Sequence, residues 1–212
     1  MAVLYLASKS PRRREILAGM GISDLEIVHA GPAQLTAFAG DELQHEGESP
    51  EDYVVRTAEE KARQALERIV DEGRPALPVL AADTVVICCA EVLGKPRDRD
   101  EARLFLQRLS GRTHEVRTAV VVGTGVNELL HTAVSVSRVT FARLAPEQIE
   151  AYVLTEEPYD KAGGYAVQGL AGLFIERIEG SYSGIMGLPV FETARLLNEV
   201  APELLPTCAR LA

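Results

Sequence analysis

Val79-Leu80-Ala81-Ala82-Asp83-Thr84-Val85-Val86-Ile87-Cys88-Cys89 is a near-continuous apolar run broken by one carboxylate and one hydroxyl. A strand buried on both faces reads this way. A carboxylate buried there without purpose would cost several kcal/mol or shift its pKa strongly. Asp83 therefore has two readings. It is a structural Asp at a strand edge or bulge, accepting backbone N–H bonds, or it is a catalytic base or metal ligand. Perturbed carboxylates concentrate in functional sites, which favours the second reading.

Working outward, the chain alternates strands and helices with no repeat and no low-complexity segment, so its class is α/β. Residues 2–7 read as a buried strand, 10–19 as a helix ending near Gly21, and 25–30 as a second strand. Gly31 to Gly47 is a polar loop carrying the acidic pair Asp41-Glu42. A long amphipathic helix follows from Pro50 to about Glu72, with Val54, Ala58, Ala65 and Ile69 at helical spacing. Lys61 lies on that apolar stripe, so it either snorkels out to water or points into a cleft to meet an anion. After Gly94-Lys95-Pro96, Asp98 and Glu101 read as a capping box for a helix to Leu109. His114 to Gly123 and Leu129 to Leu144 read as a long antiparallel pair, with Ser135-Val136-Ser137-Arg138-Val139 half-exposed. A short helix spans Pro146 to Leu154 and a last one spans Leu188 to Val200. The tail from Pro202 is expected to be loosely held. Between these helices, Gly163 to Gly187 is rich in glycine, which permits sharp turns or close approach of a ligand to backbone.

The first helix start, Ser8-Lys9-Ser10-Pro11-Arg12-Arg13-Arg14, is electrostatically inverted. Ser10 suits the N-cap and Pro11 the first helical position. Three arginines then fill a first turn where the helix dipole favours acids. Ser49-Pro50-Glu51-Asp52 provides the internal contrast, with the same Ser-Pro signal followed by carboxylates. The arginines are a solvated face with snorkelling stems, or they build an anion site with the free backbone N–H groups.

The whole chain narrows the function. Its 212 residues suit one large domain or two intimate lobes. A net charge of −9 argues against a general nucleic-acid binder, and the absence of Trp disfavours a stacking platform for single strands. No apolar run approaches the ~20 residues that span a bilayer, and the short N-terminal run lacks a basic flank, so the expectation is a cytoplasmic protein with no membrane partner. Cys88, Cys89 and Cys208 form neither a disulfide framework nor a zinc pattern, and His29, His45, His114 and His131 have no ligand spacing. Gly123-Thr124-Gly125 lacks the third glycine of a dinucleotide fingerprint. Gly180-Ser181-Tyr182-Ser183-Gly184 does not centre a serine as a nucleophile elbow does. What remains is a central Asp, an upstream Glu, and several Arg and Lys. That set suits metal-assisted phosphoryl or nucleotidyl chemistry on a polyphosphate.

At this point the residues match a known family. The chain resembles the Maf proteins, nucleoside triphosphate pyrophosphatases first named for inhibition of septum formation. The motifs that carry the resemblance are Leu6-Ala7-Ser8 through Arg13, Asp41-Glu42, Glu60-Lys61-Ala62, Ala82-Asp83-Thr84-Val85-Val86, Leu93-Gly94-Lys95-Pro96, Leu109-Ser110-Gly111, His114-Glu115-Val116, Glu157 to Gly169, and Gly180 through Pro189. The resemblance covers nearly the whole chain, as one domain over residues 1–212. It implies a mixed, twisted sheet with flanking helices and two lobes around a cleft, similar to the inosine triphosphatase group. It further implies hydrolysis of a nucleoside triphosphate to the monophosphate and pyrophosphate with a divalent cation, Mg²⁺ or Mn²⁺, and it suggests a homodimer.

Carried over by position, Asp83 would accept the proton of the attacking water and would hold the metal with Glu42. Ser8, Arg12, Arg13, Lys61 and Lys95 would hold phosphates, with Ser10 beside them. Arg12, Thr84 and Gln168 would tune base choice. Asp160-Lys161-Ala162-Gly163 with Gln168 resembles the subgroup acting on dTTP and UTP, so Lys161 and Gln168 join the substrate-binding set. A Gln amide donates and accepts at once, as the imide edge of thymine or uracil requires. The alternatives are 7-methyl-GTP as substrate, or a non-catalytic regulator of cell division that binds nucleotide. Cys88-Cys89-Ala90 departs from the family, which has a polar turn with Gly there, and a local change in the hairpin before Glu91 is expected.

Overall fold

The computed structural model describes residues 2–28 and 44–210. The acidic pair Asp41-Glu42 lies outside the described residues. The elements run in the order β1 (Leu4–Leu6), α1 (Pro11–Gly19), β2 (Leu25–Ile27), α2 (Pro50–Asp71), β3 (Val79–Cys88), β4 (Glu91–Leu93), α3 (Arg99–Leu109), β5 (Thr113–Gly123), β6 (His131–Phe141), α4 (Pro146–Val153), β7 (Ile175–Glu179), α5 (Tyr182–Met186) and α6 (Val190–Val200). The strands form one mixed sheet in the order β2-β1-β3-β5-β6-β7, with β4 also paired to β3. β1 runs parallel to β2 and β3, and the other pairs are antiparallel.

β3 is the central strand its apolar run predicts, and its two edges differ. On one side it pairs with β5 without a break from Val79 to Ile87. On the other, β1 pairs only as far as Leu80 and β4 begins only at Val86. Among the described residues no strand pairs with residues 81–85 on that side. Asp83 and Thr84 therefore sit in a notch in the sheet, just past the carboxyl end of β1, the kind of place where α/β sheets bind ligands.

Side-chain alternation along β3 then sorts the core. Val79, Ala81 and Val85 pack under α2 with Val54, Ala58, Ala62, Ala65 and Ile69. Leu80 and Ala82 face the opposite layer, with Leu17 of α1 and Leu196 and Leu197 of α6. Further along that same face, Val86 and Cys88 enter a third cluster with Leu106 of α3, Ile149 and Tyr152 of α4, and Phe141. Between the second and third clusters lies a row of hydroxyls. The register aligns Thr84 with Thr118 and Thr118 with Ser135. The Thr84 and Thr118 oxygens are 2.9 Å apart, and Thr118 donates to the carbonyl of Gly184 at 2.8 Å.

Several expectations need correction. Strand β6 is half-exposed and alternates as read, with Ser135 and Ser137 buried beside Ala133, Val139 and Phe141 while Val134 and Val136 face out. Ser137 is satisfied there by the backbone of Ser181, the N-cap of α5, donating to its carbonyl at 3.2 Å and accepting from its N–H at 3.0 Å. Ser10 occupies the N-cap position of α1 with extended dihedrals, yet its side chain makes no capping bond. At α3, Asp98 does accept from Glu101 N at 2.9 Å, but Glu101 reaches back to the N–H of Arg97 rather than closing a box on Asp98. The glycine-rich stretch contains β7 and α5, which the absence of clear periodicity concealed. The tail is held rather than loose, because Leu205 is buried in the α1–α6 cluster.

The Cys88-Cys89-Ala90 departure keeps a two-residue hairpin, with Cys88 opposite Glu91. It does so with Cys89 and Ala90 both at positive φ, 53° and 65°. Such a turn favours Asn and Gly, so this hairpin carries strain that the more usual residues avoid.

Candidate active site

Asp83 is 8% exposed and its two oxygens have different partners, both from α2. Thr57 Oγ1 lies 2.9 Å from Oδ2 and Lys61 Nζ lies 2.7 Å from Oδ1. Thr57 and Lys61 are four residues apart, hence stacked on one face of the helix. Lys61 thus takes the second of its two readings: it points inward, to a carboxylate. The Thr57 hydroxyl also lies 2.9 Å from the carbonyl of Tyr53. With a single proton it serves one acceptor at a time, and an ionised carboxylate is the stronger. Thr57 was missed by the sequence reading. Its place one turn before Lys61 is the signal that points to it.

On the other face of the sheet, α1 brings its arginines to Thr84. Arg13 donates to Ser8 Oγ at 3.0 Å, to Thr84 Oγ1 at 3.3 Å and to the carbonyl of Gly187 at 2.8 Å. Gly187 adopts φ 115° to close α5, a conformation that turns its carbonyl toward Arg13 at low steric cost. Ser8 accepts from the N–H of Ser10 at 3.2 Å as well, so the loop between β1 and α1 is folded on the Ser8 hydroxyl. Ser10 contributes this backbone donor to the site. Arg14 is exposed.

Arg12 reaches across to the glycine-rich run, with Nη1 3.1 Å from Asp160 Oδ2. Lys161 pairs with the same Asp160 and donates to the carbonyl of Glu157 at 2.8 Å. Burial opposes ionisation of Asp160, but hydrogen bonds from Lys161 and Arg12 hold its carboxyl below the usual range. The run is pinned to the loop of Lys95 by a 2.9 Å bond from Gly163 N to the Gly94 carbonyl. Gly163 has φ 71°, and a Cβ there would meet Val86 at 2.9 Å. The structure therefore joins Asp83 with Lys61, Ser8 with Arg13 and Thr84, and Arg12 with Lys161 through Asp160. Lys95 and Gln168 are exposed side chains outside this network among the described residues, and Glu42 lies outside the described residues altogether.

Among the described residues, no three His, Cys, Asp or Glu side chains converge as a metal cage. The donor set at Asp83 still fits a hard divalent ion that arrives with phosphates. Mg²⁺ is held by one or two carboxylates plus substrate oxygens rather than by a dedicated protein cage. Asp83 supplies such a carboxylate, and Lys61 now neutralises it. Crowded cations on one side of a sheet notch and a buried carboxylate on the other suit a small, multiply charged anion.

The chain belongs to the Maf-like protein family, which it matches over residues 3–200. It is 50% identical over 195 residues to the "dTTP/UTP pyrophosphatase" of Burkholderia pseudomallei (strain 1710b), covering 92% of each chain. It is 51% identical over 198 residues to the protein of the same name from Bordetella avium (strain 197N), covering 92% of this chain and 94% of that one. Among solved structures, the Staphylococcus aureus Ham1 protein is 12% identical with a TM-score of 0.44, covering 81% of this chain and 90% of that one. No helix among the described residues is long and apolar enough to cross a membrane.

Proposed function

We propose that this protein hydrolyses dTTP and UTP, and modified pyrimidine relatives of them, to the nucleoside monophosphate and pyrophosphate. The observation that carries the reading is the Asp83 carboxylate, buried in the notch and held between Lys61 and Thr57. The names of the close relatives supply the substrate class.

The chemistry needs a water oxygen to attack the α-phosphorus while the bond to the β-phosphate oxygen breaks. Asp83 takes the proton of that water. In the free protein its Oδ1 is occupied by the Lys61 ammonium. An incoming triphosphate competes for that ammonium, which moves onto phosphate and leaves Oδ1 able to accept a proton. Arg12 and Arg13 offer planar donor forks to phosphate oxygens at the start of α1. Asp83 and Glu42 would hold a magnesium ion brought with the triphosphate, and that ion would supply Lewis-acid polarisation of the phosphate oxygens. Gln168 and Thr84 would read the base.

The test is pyrophosphate release from dTTP, UTP, CTP, GTP and 7-methyl-GTP with Mg²⁺, wild type beside Asp83→Asn. Turnover of dTTP and UTP that is lost in the variant is the expected result. A preference for 7-methyl-GTP would keep the chemistry and overturn the substrate assignment. Turnover of none would leave a protein that binds nucleotide without cleaving it.

A further inference from the structure

At the tip of the β3–β4 hairpin, Cys88 and Cys89 place their sulfurs 3.8 Å apart. Their surroundings are unequal. Cys88 is buried, with its thiol 3.6 Å from the carbonyl of Arg108. Cys89 is exposed, and Arg112 Nη1 lies 3.8 Å from its sulfur. Neither is used by the proposed hydrolysis, and a local hairpin does not need two thiols.

We infer that this pair is a peroxide-oxidisable dithiol, with Cys89 as the attacked sulfur and Cys88 as the resolving one. An accessible thiol beside a permanent cation, next to a second thiol, is the arrangement of reversible cysteine oxidation. Burial pushes the Cys88 thiol up, in keeping with its place as the second, sheltered partner.

Two steps balance. The Cys89 thiolate attacks one oxygen of hydrogen peroxide and breaks the O–O bond. The sulfur is oxidised by two electrons to a sulfenic acid, and the departing hydroxide takes a proton to become water. The Cys88 thiol then attacks the Cys89 sulfur, forming S–S and breaking S–O. The leaving hydroxyl takes the Cys88 proton and departs as a second water. Two thiols and one peroxide thus give one disulfide and two waters.

The bond so formed is built to be reversed. Neighbouring Cα atoms across a trans peptide are about 3.8 Å apart, closer than the ~4.4 Å lower bound of ordinary disulfides. The sulfurs must also close to about 2.05 Å. Strained, exposed disulfides of this kind are readily reduced.

The experiment is peptide mass spectrometry of the full chain after hydrogen peroxide, with alkylation of remaining thiols and dimedone as the sulfenic-acid probe. Cys208, exposed and remote in sequence, is the internal control. The expected wild-type peptide has lost two hydrogens, alkylates at neither Cys88 nor Cys89, and recovers both sites after dithiothreitol. In Cys88→Ser the dimedone adduct appears on Cys89. In Cys89→Ser, Cys88 stays reduced. The proposal is overturned if Cys88 and Cys89 remain fully alkylated at peroxide levels that oxidise Cys208. It is equally overturned if dimedone marks Cys88, or if wild-type Cys89 accumulates the adduct without the disulfide.

Discussion

Nζ of Lys61 lies 2.7 Å from Oδ1 of Asp83, tying α2 to the central strand through a pair whose side chains are 21% and 11% exposed. Removing either partner strands a charge in a poorly solvated place. Lys61→Met is expected to cost roughly 2–4 kcal/mol, somewhat less than the ~3–5 of a fully buried pair because some solvent reaches this one. Adding Asp83→Asn to Lys61→Met should restore part of that loss. Denaturant unfolding of the two single variants and the double variant checks it; purely additive losses would refute the coupling.

Thr57→Val is nearly isosteric and deletes the hydroxyl that faces Asp83 Oδ2. One donor to a carboxylate corresponds to about 1–3 kcal/mol. If that donor orients the base, kcat falls about 5- to 150-fold with little change in KM, and Thr57→Ser restores most of it. An unchanged kcat in Thr57→Val would make this contact structural alone.

The two arginines of α1 should separate experimentally. Arg12 makes an exposed ion pair with Asp160, worth about 0–1 kcal/mol to the fold. Arg13 joins Ser8, Thr84 and Gly187 and therefore braces the loop, α5 and β3. Both replacements by Ala should weaken triphosphate binding by about 1–3 kcal/mol. Only Arg13→Ala should also lower thermal stability. Steady-state kinetics beside calorimetric melting decides between them.

Ala90→Gly should stabilise the protein. Ala90 sits at φ 65°, where an L side chain costs about 1–2 kcal/mol and glycine almost nothing. Allowing for glycine's greater freedom in the unfolded chain, the net gain is about 1 kcal/mol, or roughly 2–4 °C in Tm. A lower Tm in the variant would contradict the turn geometry.

Acid stability has an identifiable contributor in His114. Burial pushes its pKa from 6.5 down to about 4, and Nε2 lies 2.7 Å from the Tyr165 hydroxyl. The folded value is depressed, so the folded chain keeps the ring neutral while the unfolded chain takes up a proton as pH falls through 6.5. Stability from the neutral ring is complete above that value and is lost between about 6.5 and 4. At 1.36 kcal/mol per pKa unit, the loss is about 3 kcal/mol. Urea unfolding across this window should show a shallower slope in His114→Gln than in wild type.

Much of this was legible in the sequence. The β3 run, α2 with its carboxylate start, and the long β5–β6 pair follow from periodicity and end signals. The inverted charge at α1 pointed to Arg12 and Arg13, and the apolar stripe pointed to Lys61. Other features were hidden for physical reasons. Ser135 and Ser137 look like surface residues, because their burial depends on α5 arriving from far along the chain. β7 and α5 are too short and too rich in glycine for periodicity to register. Lys161 carries a charge suited to phosphate, but its local tie to Asp160 and Glu157 is invisible without coordinates.

An open stretch of strand edge is ordinarily an invitation to intermolecular pairing, which proteins blunt with charge or cover. Among the described residues the opening beside β3 is bounded by β1 at one end and β4 at the other, spanning only residues 81–85. It is too short to template another chain. The sheet is thus left incomplete where polymerisation cannot exploit the defect.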